Sequence, residues 1–254
     1  MAAKNMQLIA YNLGLLEYQQ SWDLQNRLAE EIAQGQHPPA LLLLEHPHSY
    51  TFGRQGNTEN LLWSQAELDQ RGIATHWTDR GGDVTYHGPG QLVGYPIIPL
   101  ENHGTDSRPK RDLVGYLRKL ETTLINTLFE YRLPAEQIPG LTGVWVRPEM
   151  LGRCDHTPPE RLKSPAKIAS IGVRVDARGV TRHGFALNVS SEMSYWEGIV
   201  ACGLENQNKT SMEMVLEETP AVEEVGRTAA LNFANQMGME LVWKHSLSLG
   251  VENV

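Results

Sequence analysis

Apolar positions recur along this chain in two rhythms, one of three to four residues and one of two, and they divide it into helices and strands. Leu113, Leu117, Leu120, Leu124 and Leu128 predict an amphipathic helix over residues 112–131. Leu16, Leu24 and Leu28, interleaved with Gln20 and Asp23, predict another over residues 15–33, ended by Pro38 and Pro39. Residues 217–237 read as a third helix with Pro220 in its first turn. Ser64 followed three residues later by Glu67 is a capping-box pattern for a short helix through Gln70, closed by Gly72.

The continuous apolar run 40–45 has the length of a buried strand, and residues 7–12, 73–78, 91–100, 143–147 and 240–244 also read as β. Residues 167–175 and 180–189 flank a polar, glycine-ended turn at 176–179 and predict a hairpin. Helices and strands mix without a regular βα alternation. The expected fold class is therefore α+β, a mixed or antiparallel sheet flanked by helices. One domain is expected, with a core of about residues 7–244 and a polar, proline-rich loop at 148–165 as its least ordered part.

Composition narrows the function classes. Hydrophobic residues at 41% and charged residues at 20% of 254 are ordinary for a globular enzyme, and the net charge of −8 argues against nucleic acid as a partner. No run approaches the length of a membrane span, and residues 1–11 lack signal-peptide and transit-peptide character. The expectation is a cytoplasmic protein with no membrane association. Two cysteines, Cys154 and Cys202, cannot build a disulfide framework, and the nine histidines show no zinc spacing, so no metal site is expected. The pair His46 and His48 sits beside Pro47 and reads as a turn after a strand.

The densest chemistry lies in Arg80-Gly81-Gly82-Asp83-Val84-Thr85-Tyr86-His87-Gly88-Pro89-Gly90-Gln91. Glycines allow backbone shapes and close approaches that side chains block. Arg, Tyr and His among them suit a ligand-binding loop, although a purely structural turn has the same glycine content. The run contains neither the lysine-bearing phosphate loop nor a complete dinucleotide fingerprint.

These twelve residues resemble the signature of the lipoyl (octanoyl) transferase family. Lys167-Ile168-Ala169-Ser170-Ile171-Gly172, His183-Gly184-Phe185-Ala186-Leu187-Asn188-Val189 and Cys202-Gly203 match the same family in order. The resemblance implies a fold shared with biotin and lipoate protein ligases, and octanoyl transfer without a cofactor. The implied donor is octanoyl-acyl carrier protein. The implied acceptors are lysines on lipoyl domains of 2-oxoacid dehydrogenase E2 subunits and on the glycine cleavage H protein. Carried over by position, Cys202 is the nucleophile and Lys167 its partner. Arg80, Gly81, Gly82, Asp83, Val84, Thr85, Tyr86 and His87, with Ser170, Ile171, Gly172, Gly184, Phe185 and Ala186, would bind substrate.

The chemistry of these residue types agrees. A free thiol is only slightly ionised at neutral pH, so a cysteine nucleophile needs a base or a nearby cation. Lys167 could supply an ammonium that stabilises the thiolate or, if desolvated, an amine that takes the proton. Thioester exchange is close to isoenergetic and aminolysis of a thioester runs downhill, so no ATP is needed. Gly172, Gly184 and Ala186 on paired strands would leave room for a saturated chain. His87 and His183 read as structural histidines outside the catalytic pair, and Asp83 as a turn residue. An ATP-dependent ligase, a non-catalytic carrier-protein adaptor and a thioesterase are the competing readings. The stretch 151–165, longer than this family leads one to expect, places Cys154, His156, Arg161 and Lys163 close in sequence to Lys167.

Overall fold

The apolar run after Pro39 forms a strand whose alternate side chains enter different cores: Leu41 and Leu43 one, Ala40, Leu42 and Leu44 another. A strand covered on both faces carries no polar alternation, and that is why the run is continuous. The computed structural model describes residues 6–105, 110–151, 164–201 and 208–244. Its strands, in chain order, are β1 (Gln7–Leu15), β2 (Ala40–Glu45), β3 (Ser49–Phe52), β4 (Ala74–Trp77), β5 (Val84–His87) and β6 (Gln91–Ile97). After these come β7 (Glu136–Ile138), β8 (Leu141–Val146), β9 (Ala166–Val175), β10 (Thr181–Asn188), β11 (Asn208–Lys209) and β12 (Glu240–Lys244). The α-helices are α1 (Tyr18–Ala33), α2 (Gln65–Gln70), α3 (Leu113–Glu130), α4 (Pro148–Leu151) and α5 (Val222–Met237).

Among the described residues a nine-stranded sheet runs β12-β1-β2-β6-β10-β9-β8-β7, with β11 pairing β9. β1 is parallel to β12 and β2, β11 is parallel to β9, and the remaining pairs are antiparallel. Helices α3 and α5 cover one face through Leu120, Leu124, Leu128, Val225, Ala229 and Phe233. Helix α1 covers the other through Leu24, Leu28, Ala29 and Ile32. The expected α+β class, with a mixed sheet flanked by helices, is the observed one. A second sheet, β4-β3-β5, encloses a third core of Tyr50, Phe52, Val84, Tyr86, Trp196, Ile199 and Ala201.

The structure departs from the sequence expectations at several boundaries, each for a local reason. β1 continues to Leu15 because Gly14, at φ 61°, takes a left-handed turn where the register shifts, so α1 starts only at Tyr18. Pro220 lies before α5 rather than in its first turn. Ala221 is the extended cap residue, and the helix begins at Val222. The turn expected after β2 is present and leads into a strand that was not expected, β3, and the second half of the glycine-rich run is the strand β5 that pairs with it. The β-branched and aromatic residues Val84, Thr85 and Tyr86 suit a pleated, buried surface. Pro148–Leu151, expected as loop, form a helical turn with Leu151 buried. Residues 152–163 of that loop, with Cys154, lie outside the described residues.

Candidate active site

The β9–β10 hairpin and the glycine-rich run together line a cavity of about 390 Å³. In the hairpin, Gly172 pairs with Gly184, Ile171 with Phe185 and Ser170 with Ala186, and all six residues line the cavity. Arg80, Gly81, Gly82, Asp83, Val84, Thr85 and His87 line it with them. The N–H of Gly81 donates to the carbonyl of Val173 at 3.0 Å and stitches the run to β9. Gly82 sits at φ 85°, a conformation that glycine takes without strain.

Small residues here serve backbone approach as much as cavity volume. A Cβ on Gly184 would stand 2.1 Å from the carbonyl oxygen of Gly94, so Gly184 lets β10 close onto β6. A Cβ on Gly172 would meet the Gly81 oxygen at 3.1 Å and Arg80 Cδ at 3.3 Å. Arg80 itself is buried and turned toward the backbone. Its Nη1 donates to the Gly81 carbonyl at 2.9 Å, and its Nε and Nη2 donate to the Thr51 hydroxyl at 3.3 and 3.0 Å. Nη2 also donates to the Thr51 carbonyl. Arg80 thus holds the glycine-rich run against β3.

Lys167 lines the same cavity and is 8% exposed. Its Nζ lies 4.9 Å from the centre of the Trp145 ring. Gly143, at φ 122°, lies against it, and a Cβ there would stand 3.1 Å from Lys167 Cε. The Gly143 N–H is held by the buried Glu121 carboxylate at 3.1 Å, and Arg118 pairs with Glu121 at 2.6 Å. On the other edge of β9, β11 places Lys209 beside Lys167, and the Thr210 N–H donates to the Lys167 carbonyl at 3.0 Å. Cys202 lies outside the described residues. Those nearest to it in sequence are Ala201, buried in the third core, and Asn208, which pairs with Ala166.

One part of the cavity wall is a stack of neutral rings. Tyr18, Tyr95 and His87 line it, with His46 behind them. His46 donates from Nδ1 to the Leu16 carbonyl at 2.6 Å and accepts the Tyr95 hydroxyl on Nε2 at 2.8 Å. Burial pulls its pKa down to about 4. His87 donates from Nδ1 to Gln91 Oε1 at 2.7 Å, while the Gln91 amide nitrogen donates to the Tyr86 carbonyl and to Asn188 Oδ1. Burial, and then the neighbouring His46, hold His87 well below the ordinary range.

His183 also lines the cavity, at a strained φ of 56°, and donates from Nε2 to Asp79 Oδ1 at 2.8 Å. Burial lowers its pKa in spite of the carboxylate. Burial raises that of Asp79, but His183 and Arg182 outweigh it and keep Asp79 ionised far below the usual carboxylate range. These histidines are neutral, hydrogen-bonded wall residues at pH 7. Tyr86 is the one described residue of the expected binding set outside the lining. It packs with Tyr50, Tyr195 and Trp196, and its hydroxyl meets His48 Nδ1 at 2.9 Å.

Sequence reasoning missed Tyr18, Tyr95, Gly143, Trp145 and Glu121. Gly143, within an apolar strand, was a visible mark of close approach; the others carry no local signal. Leu113 and Leu117 bring the apolar face of α3 to the cavity, with Leu113 41% exposed. Among the described residues no helix is long and apolar enough to cross a membrane, and no group of three potential metal ligands occurs.

A family model described as the lipoyl protein ligase A/B catalytic domain matches residues 17–234. A protein named octanoyltransferase from Solibacter usitatus is 44% identical over 236 residues, 93% of this chain and 96% of its own. Another octanoyltransferase, from Chloroflexus aurantiacus, is 42% identical over 234 residues, 92% of this chain and 95% of its own. Among solved structures, a putative lipoate protein ligase from T. acidophilum with bound lipoic acid superposes with a TM-score of 0.68. It is 13% identical, and the match covers 96% of this chain and 91% of that one. A lipoate-protein ligase A bound with ATP gives a TM-score of 0.66 at 13% identity, over 97% and 91% of the two chains. At such identities the structural likeness establishes the fold.

Proposed function

Because the chain belongs to the lipoyl protein ligase A/B catalytic-domain family, we propose that it moves an octanoyl group through a thioester on Cys202, from octanoyl-acyl carrier protein to a lysine of a lipoyl domain. Octanoyl transfer is the activity that its relatives' names carry, the enzyme is an acyltransferase, and the family's lipoyl description sets that transfer in lipoate biosynthesis. The observation that carries the two-step route is the placement of Lys167 in the cavity wall and beside β11, the strand that follows Cys202 in sequence. In the first step the Cys202 thiolate attacks the donor thioester carbonyl. The tetrahedral oxyanion collapses, and the carrier's thiolate leaves with a proton supplied through Lys167. In the second step the acceptor lysine's neutral amine attacks the acyl-cysteine and loses its proton to the Lys167 amine left neutral by the first step; the amide forms, the Cys202 thiolate leaves, and the Lys167 ammonium is restored.

The cavity suits a saturated chain. Phe185, Ala186, Ile171, Leu113 and Leu117, the glycines of the hairpin and the neutral rings of Tyr18, Tyr95 and His87 form an apolar part of its wall, so none of those rings carries a charge that must be desolvated when the tail enters. The expected acceptors are the lipoyl domains of 2-oxoacid dehydrogenase E2 subunits and the glycine cleavage H protein. The test is octanoylation of a purified lipoyl domain by octanoyl-acyl carrier protein in nucleotide-free buffer. Transfer should proceed at full rate, and a strict requirement for ATP and magnesium would move the chain to the ligase reading. Release of free octanoate in place of transfer would mark a thioesterase.

A further inference from the structure

Asn60 faces two ways. Its side-chain Nδ2 donates to Oδ2 of Asp83, and its backbone carbonyl accepts from the N–H of Val200 at 2.8 Å. The first contact reaches the cavity wall: Asp83 follows Gly82, lines the cavity and is 9% exposed. The second reaches residues 198–201, which the Leu62 N–H also holds through the Gly198 carbonyl at 2.8 Å, beside an antiparallel bridge between Leu61 and Ile199.

The segment around Asn60 is built as a clasp. Gly53, Arg54 and Gln55 donate backbone N–H bonds to the carbonyls of Asp83, Arg80 and Gly82 at 3.2, 2.9 and 3.1 Å. The Asn57 N–H donates to Asp83 Oδ1 at 3.0 Å, and the Asn57 side chain caps the turn Thr58–Asn60 by accepting from the Glu59 N–H at 3.0 Å. Segment 53–60 therefore takes its shape from the glycine-rich run, and at Asn60 it passes that shape to residues 198–201. Ile199 and Ala201 are locked into the third core, and Ala201 directly precedes Cys202 in sequence. Asp83, expected as a turn residue, is a buried carboxylate with two amide donors.

We infer that Asn60, anchored by Asp83, is a positioning residue that keeps the acyl cavity in register with the chain entering Cys202. The role rests on Cys202 being the nucleophile. An attack geometry lost by about 1 Å costs on the order of a hundredfold in rate, and a single hydrogen-bonded relay can set such a distance.

The test is a double-mutant cycle on the full chain, with single-turnover acylation by octanoyl-acyl carrier protein followed by intact mass. Asn60→Ala and Asp83→Ala should each slow acylation at saturating donor by roughly 10–100-fold with KM little changed, and Asp83→Ala should also lower the thermal midpoint because it strands two amide donors. The double variant should be no slower than the slower single, because both remove one relay. Exchanging the pair, Asn60→Asp with Asp83→Asn, keeps a donor opposite an acceptor and should recover most of the rate. Asn60→Ser shortens the side chain while leaving the backbone bond to Val200, and it should show the same defect should alanine impair folding. Additive losses, a loss carried wholly by KM, or no recovery on exchange would overturn the role. If Cys202→Ala still acquires the acyl mass, the nucleophile reading falls. If it does not, and Asn60→Ala acylates normally, the relay alone falls.

Discussion

Lys167 occupies an expensive position for a cation, 8% exposed and beside Trp145. Lysine is seldom buried without a task. On the proposed route, Lys167→Ala should lose about 10²–10⁴ in transfer rate, the range of general acid–base catalysis. The pH profile of Cys202 alkylation should also move to higher pH, since a cation near the thiolate has gone. An unchanged profile with near-normal turnover would remove Lys167 from the mechanism. His46 supports a different prediction. Its folded pKa is about 4, pulled down by burial from an ordinary 6.5. Between those values the unfolded chain binds a proton that the folded one refuses. His46 thus subtracts nothing above pH 6.5 and destabilises progressively as pH falls toward 4, by on the order of 3 kcal/mol in total. His87 acts in the same direction. Urea unfolding at pH 7.5 and pH 5 should show the loss, and His46→Gln should flatten it; a pH-independent midpoint in the native protein would contradict it.

The β9–β10 hairpin shows what an element does with its glycines. Gly184→Ala would drive a methyl onto the Gly94 carbonyl, a backbone atom that cannot swing away. It should destabilise the fold by about 1–3 kcal/mol as an overpacking change. Gly172→Ala meets the Gly81 oxygen at 3.1 Å and Arg80 Cδ at 3.3 Å, contacts that a shift of a few tenths of an ångström relieves, so it should fold better than Gly184→Ala. Thermal midpoints of the two variants check the order, and equal midpoints would contradict it. The hairpin was legible in the sequence because both strands and their turn are contiguous. Helix α3 and the Ser64–Glu67 capping box were legible for the same reason: their signals are local. The β3–β5 pair was not. Its strands are short and separated in sequence, and β5 lies within a glycine-rich run that masks its β-branched residues.

At the scale of the whole molecule, two faces of one sheet and a smaller second sheet bring distant segments to a single cavity. The neutral ring wall draws Tyr18 from the start of α1, His46 from just after β2, and His87 and Tyr95 from β5 and β6. No spacing in the sequence announces that convergence, because tertiary packing alone creates it. The motif residues were legible for the opposite reason, since their chemistry is concentrated in short runs: Arg80–Thr85 with His87, Ser170–Gly172 and Gly184–Ala186 all meet at the cavity. Tyr86 belongs to the same run but faces the third core, as the period-two alternation of β5 allows. The measurement that tests the central claim most directly is intact mass of the enzyme after mixing with octanoyl-acyl carrier protein without ATP. One octanoyl mass should appear, map to the peptide containing Cys202, be removed by hydroxylamine and be absent from Cys202→Ala. An adduct that persists in Cys202→Ala, or that maps to the peptide containing Cys154, would contradict the proposed mechanism.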